Sequence, residues 1–183
     1  MKVIPFTDLK AVPWKNGLGI TREIAVEPRG ATMEDFLWRV SIADVDTASP
    51  FSRFPGIDRT IVLLEGDGFT MTLDGVREHA LTTPCLPFSF AGEVAVEVTL
   101  AGGATRDFNL MVRRGEAVGA VDVMHGPATL DIGGDVALLY LAQGEASGDG
   151  RPLRAGDSVL GPGHMALARD ATALLVRVTP PAG

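Results

Sequence analysis

Breakers recur throughout the chain. Its 183 residues include 22 Gly and 12 Pro, which cut the sequence into short pieces and leave few long helical windows. No segment joins a convincing helix cap to a long apolar stripe. Alternation fills the pieces instead. Phe36, Trp38, Val40 and Ile42 fall on one face of an extended segment, and Leu37, Arg39, Ser41 and Ala43 on the other. Phe69, Met71 and Leu73 alternate with Thr70, Thr72 and Asp74; Val94, Val96, Val98 and Leu100 alternate with Ala95, Glu97 and Thr99. Arg59–Leu64, Val136–Leu141 and Ala173–Val178 are β-branched or aliphatic runs of buried-strand length. Turn signals separate these runs at Asn16-Gly17, Asp74-Gly75, Ala101-Gly102-Gly103 and Gly133-Gly134. Many short strands with regular turns predict an all-β sandwich or barrel.

Composition removes several function classes. A net charge of −7 is a poor basis for binding nucleic acid or an anionic membrane surface, which needs clustered Lys and Arg. The single cysteine, Cys85, can form neither an intramolecular disulfide nor a Cys-rich zinc site. His79, His125 and His164 are scattered without metal-ligand spacing, and each reads as a loop or core residue. Cys85 has no neighbouring base and reads as a buried apolar side chain. There is no Gly-x-Ser-x-Gly elbow for a hydrolase triad. Met1–Lys10 lacks a signal-peptide apolar core, and the longest apolar run, Val136–Ala142, is too short to span a bilayer. The expectation is a cytoplasmic protein with no metal and no cofactor.

Ten of the eleven aromatic residues lie before residue 116. Either the first part has the bulkier core, or it holds the site and the rest is scaffold. A faint repeat supports a division. Ile61–Gly66 resembles Leu138–Gly144, and each is followed by a polar turn, a Pro-containing segment and a β-branched run. The spacing suits two small barrels in tandem. We therefore expect a first barrel over residues 1–115 with the ligand pocket. A second, smaller barrel would cover residues 116–183, within a single compact unit.

Leu63-Leu64-Glu65-Gly66 resembles the turn that follows the metal-binding strand in cupins. Metal-binding cupins carry His-x-His and then a Glu seven positions before this Gly. Here the Glu position is Arg59, and the His-x-His region reads Ser52-Arg53-Phe54-Pro55. In the second repeat the Glu position is Ala137, and Gly156-Asp157 with His164 matches the second cupin motif only in part. Neither repeat supplies the converging N and O donors that a metal needs. Arg in place of Glu inverts the local electrostatics. The site would favour an anion, and a guanidinium pairs bidentately with carboxylate.

Five further segments carry a more specific resemblance. They are Pro13–Ile24, Trp38–Ala43, Phe51–Arg59, Phe88–Glu93 and Arg106–Arg114, in that order. Together they resemble the HutD/Ves family, strongly over residues 13–114 and in general character beyond. Leu18 interrupts a Gly run that is usual in that family. The resemblance implies a double-stranded β-barrel of the bicupin, jelly-roll type. It also implies an association with histidine utilisation, without a firmly assigned catalytic activity.

Candidate site residues follow, each with a structural alternative. Trp14, Lys15 and Asn16 form a loop that reads equally as a plain hairpin; the family resemblance favours a pocket, with Lys15 and the loop amides meeting an anion. Arg22 and Glu23 must point to opposite faces of a strand, and Arg22 is preferred. Arg39 and Ser41 line either a cavity or a solvated face. Arg59 is the best single candidate for carboxylate recognition, against a structural salt bridge to Asp58 or Asp107. Asp107, Asn109 and Arg113 share one strand face with Met111, and three polar groups inside a barrel require partners or a ligand. Phe54 and Trp14 would shut out water.

The first expectation is an accessory or regulatory protein that binds a small anionic metabolite, such as an intermediate of histidine breakdown. Arg59, Arg113 and Lys15 would pair its carboxylates, and Asn16 and Asn109 its amide or formyl groups. The alternative is a metal-independent enzyme acting on a formyl or formimino amino acid or a related small acid. Asp107 or Glu23 would then serve as acid/base, and Arg59 would stabilise an oxyanion. A third option is an interaction role, as a homodimer formed through edge strands.

Overall fold

Period-two alternation becomes strand wherever one face has something to pack against. A computed structural model, which describes residues 1–181, contains eighteen strands and one short 3-10 turn among those residues. The strands run β1 (Lys2–Ile4), β2 (Ala11–Pro13), β3 (Gly19–Glu27), β4 (Trp38–Val45), β5 (Ile57–Glu65), β6 (Phe69–Leu73), β7 (Arg77–Leu81), β8 (Phe88–Ala91), β9 (Val96–Leu100) and β10 (Thr105–Arg113). They continue as β11 (Val118–His125), β12 (Ala128–Ile132), β13 (Val136–Gln143), β14 (Glu145–Gly148), β15 (Arg151–Arg154), β16 (Ser158–Leu160), β17 (Gly163–Leu167) and β18 (Thr172–Thr179). The run expected from Val94 begins as strand only at Val96, because the Val94 N–H closes a turn onto the Ala91 carbonyl at 3.2 Å.

The strands form two compact units. The unit Lys10–Val118 holds a six-stranded sheet, ordered β2-β3-β4-β10-β5-β8, and a three-stranded sheet, β7-β6-β9. Ile61 and Leu63 of β5 and Phe90 of β8 pack against Phe69, Met71 and Leu73 of β6, Leu81 of β7 and Val96 of β9. The three-stranded sheet thus covers one part of the larger sheet's face.

The other unit joins Met1–Leu9 to the chain from Gly119 onward. Its sheets are β1-β16-β13-β18-β11 and β12-β17-β14-β15. β1 is an edge strand that pairs antiparallel with β16, Lys2 against Leu160 and Ile4 against Ser158. The core is aliphatic: Leu139, Leu141, Leu153, Val159, Met165 and Leu175 are central, with Met1 and Val3 packed against them.

The two glycines matched in the sequence repeat do the same work. Gly66 and Gly144 both have positive φ, +90° and +73°. An added Cβ would lie 2.5 Å from the Ala104 carbonyl oxygen at Gly66 and 2.7 Å from the Ala171 Cα at Gly144. Cys85 is buried, and desolvation pushes its thiol above the usual range, as an inert core cysteine requires.

Candidate functional site

β10 lies between β4 and β5, and its register with both sets a grid of side chains on one sheet face. Met111 stands opposite Arg39 and Arg59, Asn109 opposite Ser41 and Ile61, and Asp107 opposite Ala43 and Leu63. Apart from Leu63, which belongs to the core, these residues line a cavity of about 570 Å³. Trp14, Lys15, Asn16, Phe51 and Phe54 contribute to its wall. Ser52, Phe54 and Arg59 all face the same space. Among the described residues, no group of three His, Cys, Asp or Glu converges as a metal site.

Arg59 is 9% exposed and has no carboxylate partner among the described residues. Nη2 donates to Asn109 Oδ1 at 3.4 Å and Nη1 to the Ser52 carbonyl at 3.5 Å, both long, while Nε has no partner. The guanidinium carbon lies 5.2, 5.5 and 5.0 Å from the ring centroids of Phe51, Phe54 and Phe90. Burial, and then the field of Arg39, lower its pKa to about 10. The alternative of a structural salt bridge is not what the fold builds. Asp58 pairs with Arg114, and Asp107 accepts only the Thr105 hydroxyl, at 3.3 Å.

Asp107 is 1% exposed, and its Oδ1 has no partner among the described residues. Burial raises its pKa to about 7; the Thr105 hydrogen bond opposes the rise and the Asp44 charge adds to it. A register shift in the β10–β5 pairing falls between Arg106 and Asp107, so an irregularity lies directly beside this carboxylate. Asn109 uses its Nδ2 on the Asp107 main-chain carbonyl at 3.5 Å, leaving Oδ1 toward Arg59. Arg39 has company of its own: Nε donates to Glu23 Oε2 at 2.8 Å and Nη1 to Ser41 Oγ at 3.3 Å.

The loop after β2 is both hairpin and wall. Asn16 Oδ1 accepts the Leu18 N–H at 3.1 Å, and the Gly17 N–H closes onto the Trp14 carbonyl at 3.0 Å. Trp14 is pinned by Nε1–H donating to Thr21 Oγ1 at 2.8 Å. Its ring packs on Gly19, where a Cβ would sit 3.0 Å from the ring and 2.6 Å from the Asp44 carbonyl oxygen.

Two candidates stand elsewhere. Arg22 is opposite Ile42, so it points to the reverse face of the sheet, where it pairs with Asp44 alongside Arg106. Glu23, opposite Ser41, takes the cavity-side face. The preference for Arg22 over Glu23 is thus corrected. Arg113 has the face expected for it but lies beyond the cavity wall. Its guanidinium donates to the Phe36 carbonyl at 2.9 Å and the Glu34 carbonyl at 2.7 Å.

The cavity also uses residues that sequence reasoning did not select. Thr21, Val45, Ile61 and Met111 follow from alternation once the inward face is known. Phe51 and Ser52 lie in the Phe51–Arg59 segment already singled out. Met33 sits in an irregular loop and carried no signal.

Comparison with known proteins identifies the family. The HutD family description matches residues 6–181. The chain belongs to the HutD family. This HutD-family chain is 41% identical over 111 residues to an uncharacterized 21.2 kDa protein in the hutC 3′ region of Pseudomonas putida, a match covering 61% of the chain and 57% of that protein. It is 42% identical over 113 residues to protein Ves of Cronobacter sakazakii, covering 60% of each. The match therefore spans less than two thirds of either relative. The solved structure of HutD from Pseudomonas fluorescens SBW25, in a formate condition, superposes with a TM-score of 0.84 at 29% identity, covering 99% of both chains. A cupin 2 conserved barrel domain protein from Leptotrichia buccalis shares the fold at a TM-score of 0.62 and 11% identity, covering 97% of the chain and 96% of that protein. The fold of the HutD-family chain is all-β and cupin-like. Among its described residues, no helix is long and apolar enough to cross a membrane.

Proposed function

We propose that this HutD-family chain is a bicupin whose Lys10–Val118 unit binds a small carboxylate metabolite, in an accessory or regulatory role linked to histidine utilisation. One observation carries the reading. Arg59 is a buried guanidinium beside a cavity, and among the described residues no carboxylate pairs with it. A buried cation without a counter-ion is costly, and an anionic guest supplies what the fold withholds. Arg39, with its donors shared between Glu23 and Ser41, and Lys15 on the adjacent loop would complete a basic end of the cavity. Trp14 and Phe54 would form its apolar wall. The link to histidine utilisation rests on the family alone.

Calorimetric titration with urocanate, formiminoglutamate and formylglutamate tests the proposal. Heat of binding with at least one is expected, lost on Arg59→Met. Silence from all three at millimolar ligand rejects it.

Asp107 supports a second reading, a metal-independent enzyme acting on the same compounds. A carboxyl whose pKa is raised to about 7 inside a cavity suits proton transfer near neutrality. Turnover of these compounds by metal-stripped protein, abolished in Asp107→Asn, is the expected result. Product formation equal to a protein-free control removes this reading.

A further inference from the structure

We propose that the cavity is bipolar: it takes a small ligand whose anionic end meets Arg59 and Arg39 and whose other end carries an N–H donor for Asp107. This rests on the binding reading above and adds the ligand's second group and its orientation.

Asp107 is almost fully buried, faces the cavity, and leaves Oδ1 without a partner. Arg59 leaves Nε without one in the same cavity. Two buried groups of opposite charge would ordinarily neutralise each other, but these do not touch. The Arg59 guanidinium stops at Asn109 Oδ1, and the Asn109 amide is turned so that its nitrogen meets the Asp107 main chain. Asn109 therefore holds the two poles apart. Asp107 lies one same-face step further along β10, a spacing of about 7 Å. A guest that satisfies both poles must present a carboxylate at one end and a nitrogen donor at the other, separated by a short carbon chain. A dicarboxylate would set its second charge against Asp107.

The other charged groups lining the cavity are Lys15 on the loop after β2, Arg39 on β4 and Arg59 on β5. Glu23 of β3 is taken by Arg39, and Asp44, on the reverse face of β4, is taken by Arg22 and Arg106. Asp107 is thus the carboxylate left to read the far end of a guest. With its pKa raised to about 7, it is ionised in mildly alkaline solution and a neutral acid in mildly acidic solution.

The test compares γ-aminobutyrate, butyrate and glutarate by titration of the whole chain up to tens of millimolar. At about pH 8.5, where Asp107 is ionised, γ-aminobutyrate should bind about tenfold tighter than butyrate, and glutarate should bind no tighter than butyrate. At about pH 5.5 the preference for the amine should shrink to within roughly threefold. Asp107→Asn should remove the preference at the higher pH while butyrate still binds. Equal binding of butyrate and γ-aminobutyrate by the unmodified protein at both pH values overturns the bipolar assignment and leaves the anion site standing. No binding by any of the three overturns both. The unmodified protein decides the question even where the variant folds poorly.

Discussion

A guanidinium ringed by Phe51, Phe54 and Phe90, with no carboxylate against it among the described residues, loses hydration that its two long hydrogen bonds return only in part. Arg59→Met keeps much of the volume and removes the stranded charge. We expect that variant to be more stable by about 1–2 kcal/mol in chemical denaturation, and to lose at least roughly tenfold in affinity for carboxylate ligands. Asp107 gives a pH signature of its own. Its pKa is about 7 in the fold and that of an ordinary carboxyl when unfolded, so the native state binds the extra proton between these values. Stability contributed by Asp107 is therefore complete below about pH 4 and is lost as pH rises through about 7. Asp107→Asn should flatten that part of the stability-versus-pH curve; an unchanged slope would mean that Asp107 is an ordinary acid. Both residues were visible in the sequence, Arg59 through its place in the cupin pattern and Asp107 through strand alternation. Their lack of partners was not. Asp58 was an equally good counter-ion on paper, and only the fold turns it to Arg114.

Strand alternation sorted β4 and β10 into two faces each but could not say which face looks inward, and β5 read only as a buried run. Pairing register decides that, and register is a property of two strands. β3 shows the difficulty most plainly. The pairs Arg22–Ile42 and Glu23–Ser41 send the arginine to the reverse face. No residue type marks that register. The loop that follows β2 depends on Gly19, where backbone and Trp14 leave no room for a side chain. Gly19→Ala should destabilise the protein by about 1–3 kcal/mol and release Trp14 from the cavity wall, seen as a shift in tryptophan emission. Arg113, expected in the pocket, instead ties down the segment carrying Met33 through the Glu34 and Phe36 carbonyls. Arg113→Ala should speed proteolysis within residues 28–37 while the sheets stay intact; protection equal to the unmodified protein would deny the tether.

On the scale of the whole chain, the skewed distribution of aromatics left open whether the first part held a bulky core or a site. The structure contains both: an aromatic and aliphatic cluster around Phe69 and Phe90, and a cavity beside it. The unit from Gly119 onward is filled by aliphatic side chains, and Met1 and Val3 complete that packing. Nothing in the first nine residues betrays this role, because a three-residue edge strand has no period to read. Removing Met1–Ile4 should uncover β16, lower the denaturation midpoint and speed amide exchange at Ser158–Leu160. The same pairing bears on biosynthesis. Lys2 is synthesised 158 residues before its partner Leu160. At ordinary elongation rates the opening strand waits on the order of ten seconds for its sheet. For that interval Met1 and Val3 lack the core residues that bury them, Val159 and Met165 among these, so this unit cannot close until its later strands have been made.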